Sequence, residues 1–179
     1  AGDQAWAVPL CPTLPGIMVP DGVISIGDSA FNSCTGFASI TLPDGRTGIG
    51  ERAFGNCSSP IGITLPDSLA GIGDWAFKNC TSLPGITLPD SVISIGDSAF
   101  NSCTSLTSIT LPDRLTSIAE RAFENCSSLI SITLPDSLAS IGDSALKNGT
   151  SLPGIPPPAT LLPPASPPLP PSTPPRRAT

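Results

Sequence analysis

Apolar residues recur along this chain at a fixed spacing of 23 from Val19 to Ile155, without insertion. Leu42, Leu65, Leu88, Leu111 and Leu134 open successive units. Ile26, Ile49, Ile72, Ile95, Ile118 and Ile141 recur in step, as do Phe31, Phe54, Phe77, Phe100 and Phe123. At each unit boundary the apolar positions are spaced as in Leu106, Ile109 and Leu111. Alternation across Ile109-Thr110-Leu111 sends Ile and Leu inward and Thr outward, the period-two pattern of a short strand. Pro112 cannot donate to a ladder and ends it, and Pro-Asp-Ser or Pro-Asp-Gly, as at 66–68 and 43–45, reads as a turn. Leu115 and Ile118 then begin a return path. Gly-Asp before Ser-Ala-Phe predicts an N-cap opening one short helical or 3₁₀ turn, with Asp97 accepting from the backbone N–H groups that follow it. Ala99, Phe100 and Cys103 point inward from that turn.

A short fixed period is the mark of a solenoid, in which each coil buries its apolar side chains only against neighbouring coils. The predicted units are 19–41, 42–64, 65–87, 88–110, 111–133 and 134–155. All six cysteines (Cys11, Cys34, Cys57, Cys80, Cys103 and Cys126) fall in one register. Cys11 therefore marks residues 1–18 as a degenerate part-repeat, with Trp6-Ala7 aligned to Trp75-Ala76 and Leu14–Ile17 to Leu83–Ile86. The chain is expected to begin in mid-coil, as a piece of something longer. A longer period lies over the first: residues 19–87 match 88–156 at 52 of 69 positions, so three units were duplicated together. Near-identical halves argue against one unique active site.

The pattern L-x-x-I-x-L-P-x-x-L-x-x-I-x-x-x-A-F-x-x-C resembles the leucine-rich repeat of the BspA-like class. Leu106, Ile109, Leu111, Pro112, Leu115, Ile118, Ala122, Phe123 and Cys126 supply every position of it. The departures are local: Arg46 for Leu or Val, Pro60 for Leu, Leu146 for Phe and Gly149 for Cys, so the last coil looks like a cap. The resemblance implies a gently curved solenoid with short parallel β-strands on the inner face and turns with short 3₁₀ or helical segments on the outer face. It also implies a cell-surface or secreted protein, as many bacterial and protist relatives are, but it carries over no ligand and no catalytic residue.

Composition narrows the chemistry. There is no His, which removes His-based triads, general bases and metal ligands. The net charge of -6 argues against a nucleic-acid partner, and no apolar run approaches the roughly 18–20 residues that span a bilayer. The cysteines form no Cys-x-x-Cys pair of the kind zinc sites use, and their parallel placement on stacked coils predicts buried free thiols. Twelve of the 14 carboxylates fall in two ladders, Asp21/44/67/90/113/136 and Asp28, Glu51, Asp74, Asp97, Glu120 and Asp143. Stacked carboxylates can hold Ca²⁺, but turn and cap roles suffice to explain them, and no metal or other cofactor is expected. With nearly every acid in structural register, no lone acid–base pair is left for catalysis. Asn56-Cys57-Ser58 and its copies fit the N-glycosylation pattern, which matters only in a secreted chain.

The outward strand positions form a hydroxyl stripe, Thr41, Thr64, Thr87, Thr110 and Thr133, flanked by Ser39, Ser108 and Ser131 with Gly62 and Gly85 between them. Its sharp reading is a protein- or glycan-binding face serving adhesion. The bland one is the strand propensity of Thr, which leaves the solenoid a passive spacer. Regular Thr rows also resemble those of some ice-binding solenoids. From Pro156 to Thr179 the composition shifts to 11 Pro in 24 residues, a segment expected to be an extended, disordered tail or linker. Within it, 167–170 resembles a WW-domain ligand and 171–176 an SH3-domain ligand.

Overall fold

The computed structural model describes residues 5–6, 16–36, 38–45, 48–59 and 62–149. Cys11, Arg46, Pro60 and the tail from 156 lie outside these residues. The described chain is a stacked series of coils carrying thirteen short strands and no helix. Even-numbered strands hold the Thr stripe: β2 (Ile17–Met18), β4 (Ser39–Thr41), β6 (Gly62–Thr64), β8 (Gly85–Thr87), β10 (Ser108–Thr110) and β12 (Ser131–Thr133). Odd-numbered strands lie on the return path: β1 (Ala5–Trp6), β3 (Ser25–Ile26), β5 (Gly48–Ile49), β7 (Gly71–Ile72), β9 (Ser94–Ile95), β11 (Ser117–Ile118) and β13 (Ser140–Ile141). Every pairing is parallel, and from β2 onward each residue faces the one 23 positions away, as in Ile109↔Ile132 and Ile72↔Ile95. Identical rungs therefore stack in register.

The odd-numbered strands form a second sheet, of seven strands, along the return path that begins at Leu115 and Ile118 and their equivalents. A β-branched Ile behind a small Ser or Gly suits a two-residue strand, and neighbouring coils offer it a partner on both sides. At its start the register changes. Trp6 pairs with Ile26, 20 residues on, which differs from the alignment of Trp6 with Trp75 in repeat phase.

The predicted helical turn is not one. Successive i→i−3 bonds would make a 3₁₀ run. Here only alternate N–H groups close within the coil: Ala30 to Gly27, Asn32 to Ser29 and Cys34 to Phe31. Those between them leave it, Ser29 donating to Glu51, Phe31 to Ala53 and Ser33 to Gly55 on the next coil, at 2.7–2.8 Å. Two left-handed residues per coil, such as Ser29 (φ 57°) and Ser33 (φ 62°), redirect the chain this way. The segment is thus a third ladder running along the stack. Asp97 likewise accepts from the Glu120 N–H on the following coil (3.1 Å), and not from its own turn.

Burial follows the repeat. Phe31, Phe54, Phe77, Phe100 and Phe123 are fully enclosed and stack in one column, with ring centroids 5.1–5.3 Å apart and planes within 7°. Each buried Phe contributes roughly 1.5–3 kcal/mol. Cys57, Cys80, Cys103 and Cys126 are buried free thiols. Cys34 departs from that expectation: it is disulfide-bonded. The expectation rested on every coil sharing the 23-residue register, which the pairing of Trp6 with Ile26, 20 residues apart, does not keep. Among the described residues no helix is long and apolar enough to cross a membrane.

Candidate functional site

No buried side-chain N or O atom among the described residues lacks a hydrogen-bond partner, so the interior holds no group waiting for a ligand. The predicted face residues lie on the surface. Thr41, Thr64, Thr87, Thr110 and Thr133 are all exposed, and so are Ser39, Ser108 and Ser131. Strand alternation places them outward while Ile40, Ile86 and Ile109 turn in. Register sets Thr41 beside Thr64, and Thr87 beside Thr110 and Thr133.

The stripe is not continuous. The even-numbered strands form two sheets of three, β2-β4-β6 and β8-β10-β12, with no ladder joining β6 to β8. Just before β10 and β12, Thr107 donates its N–H to Pro84 and Ile130 donates to Thr107, each at 3.1 Å. Pro84 occupies that place before β8 and has no N–H to give. The missing bond falls at the break. There the surface opens into a hollow of about 510 Å³ lined by Thr64, Asp67, Thr87, Pro89, Ser108 and Thr110, with β-strand residues beneath. Gly85 lines it and adds depth by having no side chain, whereas Gly62 faces Ala38 and Ser39 on the β4 side. A Cβ on Gly85 would meet nothing nearer than 3.7 Å and one on Gly62 nothing nearer than 3.5 Å, so packing does not require glycine at either place.

The structure therefore brings together four of the predicted face residues, Thr64, Thr87, Thr110 and Ser108. Thr41 shares the next hollow, about 440 Å³, with Asp21, Asp44 and Asp67, while Ser39, Ser131 and Thr133 extend the stripe at its ends. Sequence reasoning missed that the first acidic ladder borders the stripe. Among the described residues no cation and no aromatic ring lines either hollow. The second acidic ladder is bound internally: Asp28 accepts from the Glu51 N–H (2.9 Å) and Asp74 from the Asp97 N–H (2.8 Å). Among the described residues no cluster of His, Cys, Asp or Glu could hold a metal ion.

A different surface surrounds Trp75, which stands where the other described coils carry Ser or Arg. The Arg52 guanidinium lies 4.4 Å from the centroid of the Trp75 ring, and Lys78, Asn56 and Asn79 border the same recess. Trp75 is the one aromatic side chain with solvent access among those described. A conserved ladder hides such a site; the signal lay in the positions where the ladder is broken.

A family model described as the BspA-type leucine-rich repeat region (6 copies) matches residues 7–86 and 58–162. The chain is similar in structure to a Treponema pallidum leucine-rich repeat protein (30% identity, 73% of this chain and 74% of that one, TM-score 0.60). It is also similar to a leucine-rich cell surface protein of Faecalibacterium prausnitzii (29%, 79% and 38%, TM-score 0.62) and to the pneumococcal vaccine antigen PcpA (26%, 83% and 39%, TM-score 0.68). The chain spans under half the length of the latter two. No curated protein sequence matches it.

Proposed function

The chain belongs to the BspA-type leucine-rich repeat family, whose members generally mediate protein interaction or adhesion and are typically non-enzymatic, and from that premise we propose that it binds a partner protein through the Thr stripe. The observation that carries this is the break between β6 and β8, beside which Thr64, Gly85, Thr87 and Thr110 line a hollow of about 510 Å³. A passive spacer gains nothing from interrupting its own ladder there. The lining offers hydroxyls and Asp67 and no cation, which suits a neutral or basic polar surface. It lacks the aromatic platform on which sugar rings stack, which favours protein over glycan. The interruption also removes the flat continuous Thr array that ice binding needs. A cell-surface or secreted setting agrees with this role and with the cell-surface description of the F. prausnitzii relative.

The test is the triple substitution Thr64→Lys, Thr87→Lys and Thr110→Lys, compared with wild type on a panel of purified extracellular proteins and a glycan array. Loss of protein capture with an unchanged circular dichroism spectrum is expected. Equal capture by both would remove the Thr stripe as the contact face, and glycan hits alone would replace the protein partner. A thermal-hysteresis assay on the wild type checks the ice reading and is expected to show none.

A further inference from the structure

The internal duplication supplies a reference for the recess around Trp75. Residues 69 apart are equivalent, so Arg52, Gly55, Trp75 and Lys78 correspond to Arg121, Glu124, Ser144 and Lys147. In the second copy Glu124 lies between two cations, with Arg121 Nε at 3.6 Å and Lys147 Nζ at 3.5 Å. Glu124 is unusual in itself: apart from Asp3 it is the one carboxylate outside the two acidic ladders. In the first copy both cations are kept and the carboxylate is gone, because Gly55 stands in its place. Arg52 retains its neighbour Glu51, as Arg121 retains Glu120. Lys78 forms no ion pair among the described residues. Where the Glu124 side chain would lie, the first copy has a hollow of about 160 Å³ lined by Arg52, Gly55, Asn56, Trp75, Lys78 and Asn79.

We infer that this hollow binds a carboxylate of an acidic peptide segment, a partner's Glu or Asp side chain taking the position that Glu124 fills internally in the other copy. Lys78 and Arg52 supply the charge, with Arg52 held in place by the Trp75 ring. The amides of Asn56 and Asn79 flank the entrance, already joined to each other at 2.8 Å. The fold does not ask for an indole at position 75. Ser29, Ser98 and Ser144 adopt the same left-handed conformation in their coils, and Ser98 makes the same bond to the next coil at 2.8 Å. Trp75 is therefore surplus to the scaffold and available to the ligand, covering the methylene groups of an acidic side chain. This surface is separate from the Thr stripe and does not depend on it.

Gly55→Glu gives a direct test, since a Cβ there meets nothing nearer than 3.4 Å and the substitution restores the pattern of the second copy. The chain has no Tyr and two Trp, so Trp6→Phe leaves Trp75 as the sole reporter of fluorescence. Blocked octaglutamate is titrated at low salt into that background. Saturable change in Trp75 emission is expected, weakened at least about tenfold by Lys78→Gln and abolished by Gly55→Glu, whose own carboxylate fills the hollow. No emission change with octaglutamate, or an undiminished response in both the Gly55→Glu and Lys78→Gln proteins, would overturn the assignment. A response to polygalacturonate without one to octaglutamate would overturn the peptide partner and hand the hollow to an acidic polysaccharide.

Discussion

The Cys103 thiol donates to the carbonyl oxygen of Phe77 on the preceding coil, 3.1 Å away, and the same oxygen accepts the Cys80 backbone N–H at 3.1 Å. The arrangement recurs from Cys57 to Phe31, Cys80 to Phe54 and Cys126 to Phe100. The cysteines are thus more than small apolar fillers: each satisfies the second lone pair of a carbonyl that no water reaches. Cys103→Ala removes both that donor and a buried sulfur atom. A loss of about 1–3 kcal/mol is expected, read from the urea midpoint.

Burial pushes the thiols of Cys103 and Cys126 up from an ordinary value of 9.0, Cys126 to about 12. In the unfolded chain the same thiols ionise near their ordinary value. Between these limits the unfolded state binds fewer protons than the native one, so native stability falls as pH rises. The contribution is intact below about pH 8 and is lost progressively from about 9 toward 12, by about 1.4 kcal/mol per pH unit for each such thiol. Urea midpoints across pH 8 to 11 should decline under reducing conditions, and less steeply in Cys126→Ala. A flat profile would mean the thiols ionise in place.

The Phe column predicts a gradient of cost. Phe77 stacks on rings at 5.2 and 5.1 Å, whereas Phe123 has a ring on one side and Leu146 in the following coil. Phe77→Ala leaves a cavity that two coils share, costing about 3–5 kcal/mol. Phe123→Ala should fall below it, since Leu146 is half-buried and can shift into the space. Thermal melts of the two variants in parallel check the order.

The inward file of Ile, Phe and Cys was legible because a period of 23 fixes which side chains meet, whatever path the chain takes between them. Two features were not. The turn around Ala99-Phe100 looked like a helix start, because Asp before Ser-Ala caps helices in isolation. Only the neighbouring coil, offering Glu120 O to Ser98 N–H and Ala122 O to Phe100 N–H, makes the alternating bond pattern preferable. The break beside Pro84 was hidden for the opposite reason: one absent N–H matters only where a ladder bond is due. The recess at Trp75 could have been found from sequence by comparing the two halves, where Gly55 faces Glu124.

Glycine carries the tightest contact between coils, and it does so at one ladder position and not at another. A Cβ on Gly73 would lie 2.5 Å from Ile49 O and 2.9 Å from the Gly50 carbonyl carbon, both backbone atoms with no freedom to turn aside. A Cβ on Gly48, in β5, would meet nothing within 4 Å. The same change should therefore have opposite signs. Gly48→Ala narrows the unfolded ensemble without native strain and should stabilise by roughly 0.4–1 kcal/mol. Gly73→Ala forces two coils apart and should cost about 1–3 kcal/mol. Ala119 occupies the ladder position of Gly73 in its own coil, so the stack can yield there, which keeps the cost within that range and the fold intact. Guanidinium unfolding of both variants decides it, and equal midpoints would mean that the coils are not held at this distance by Gly73.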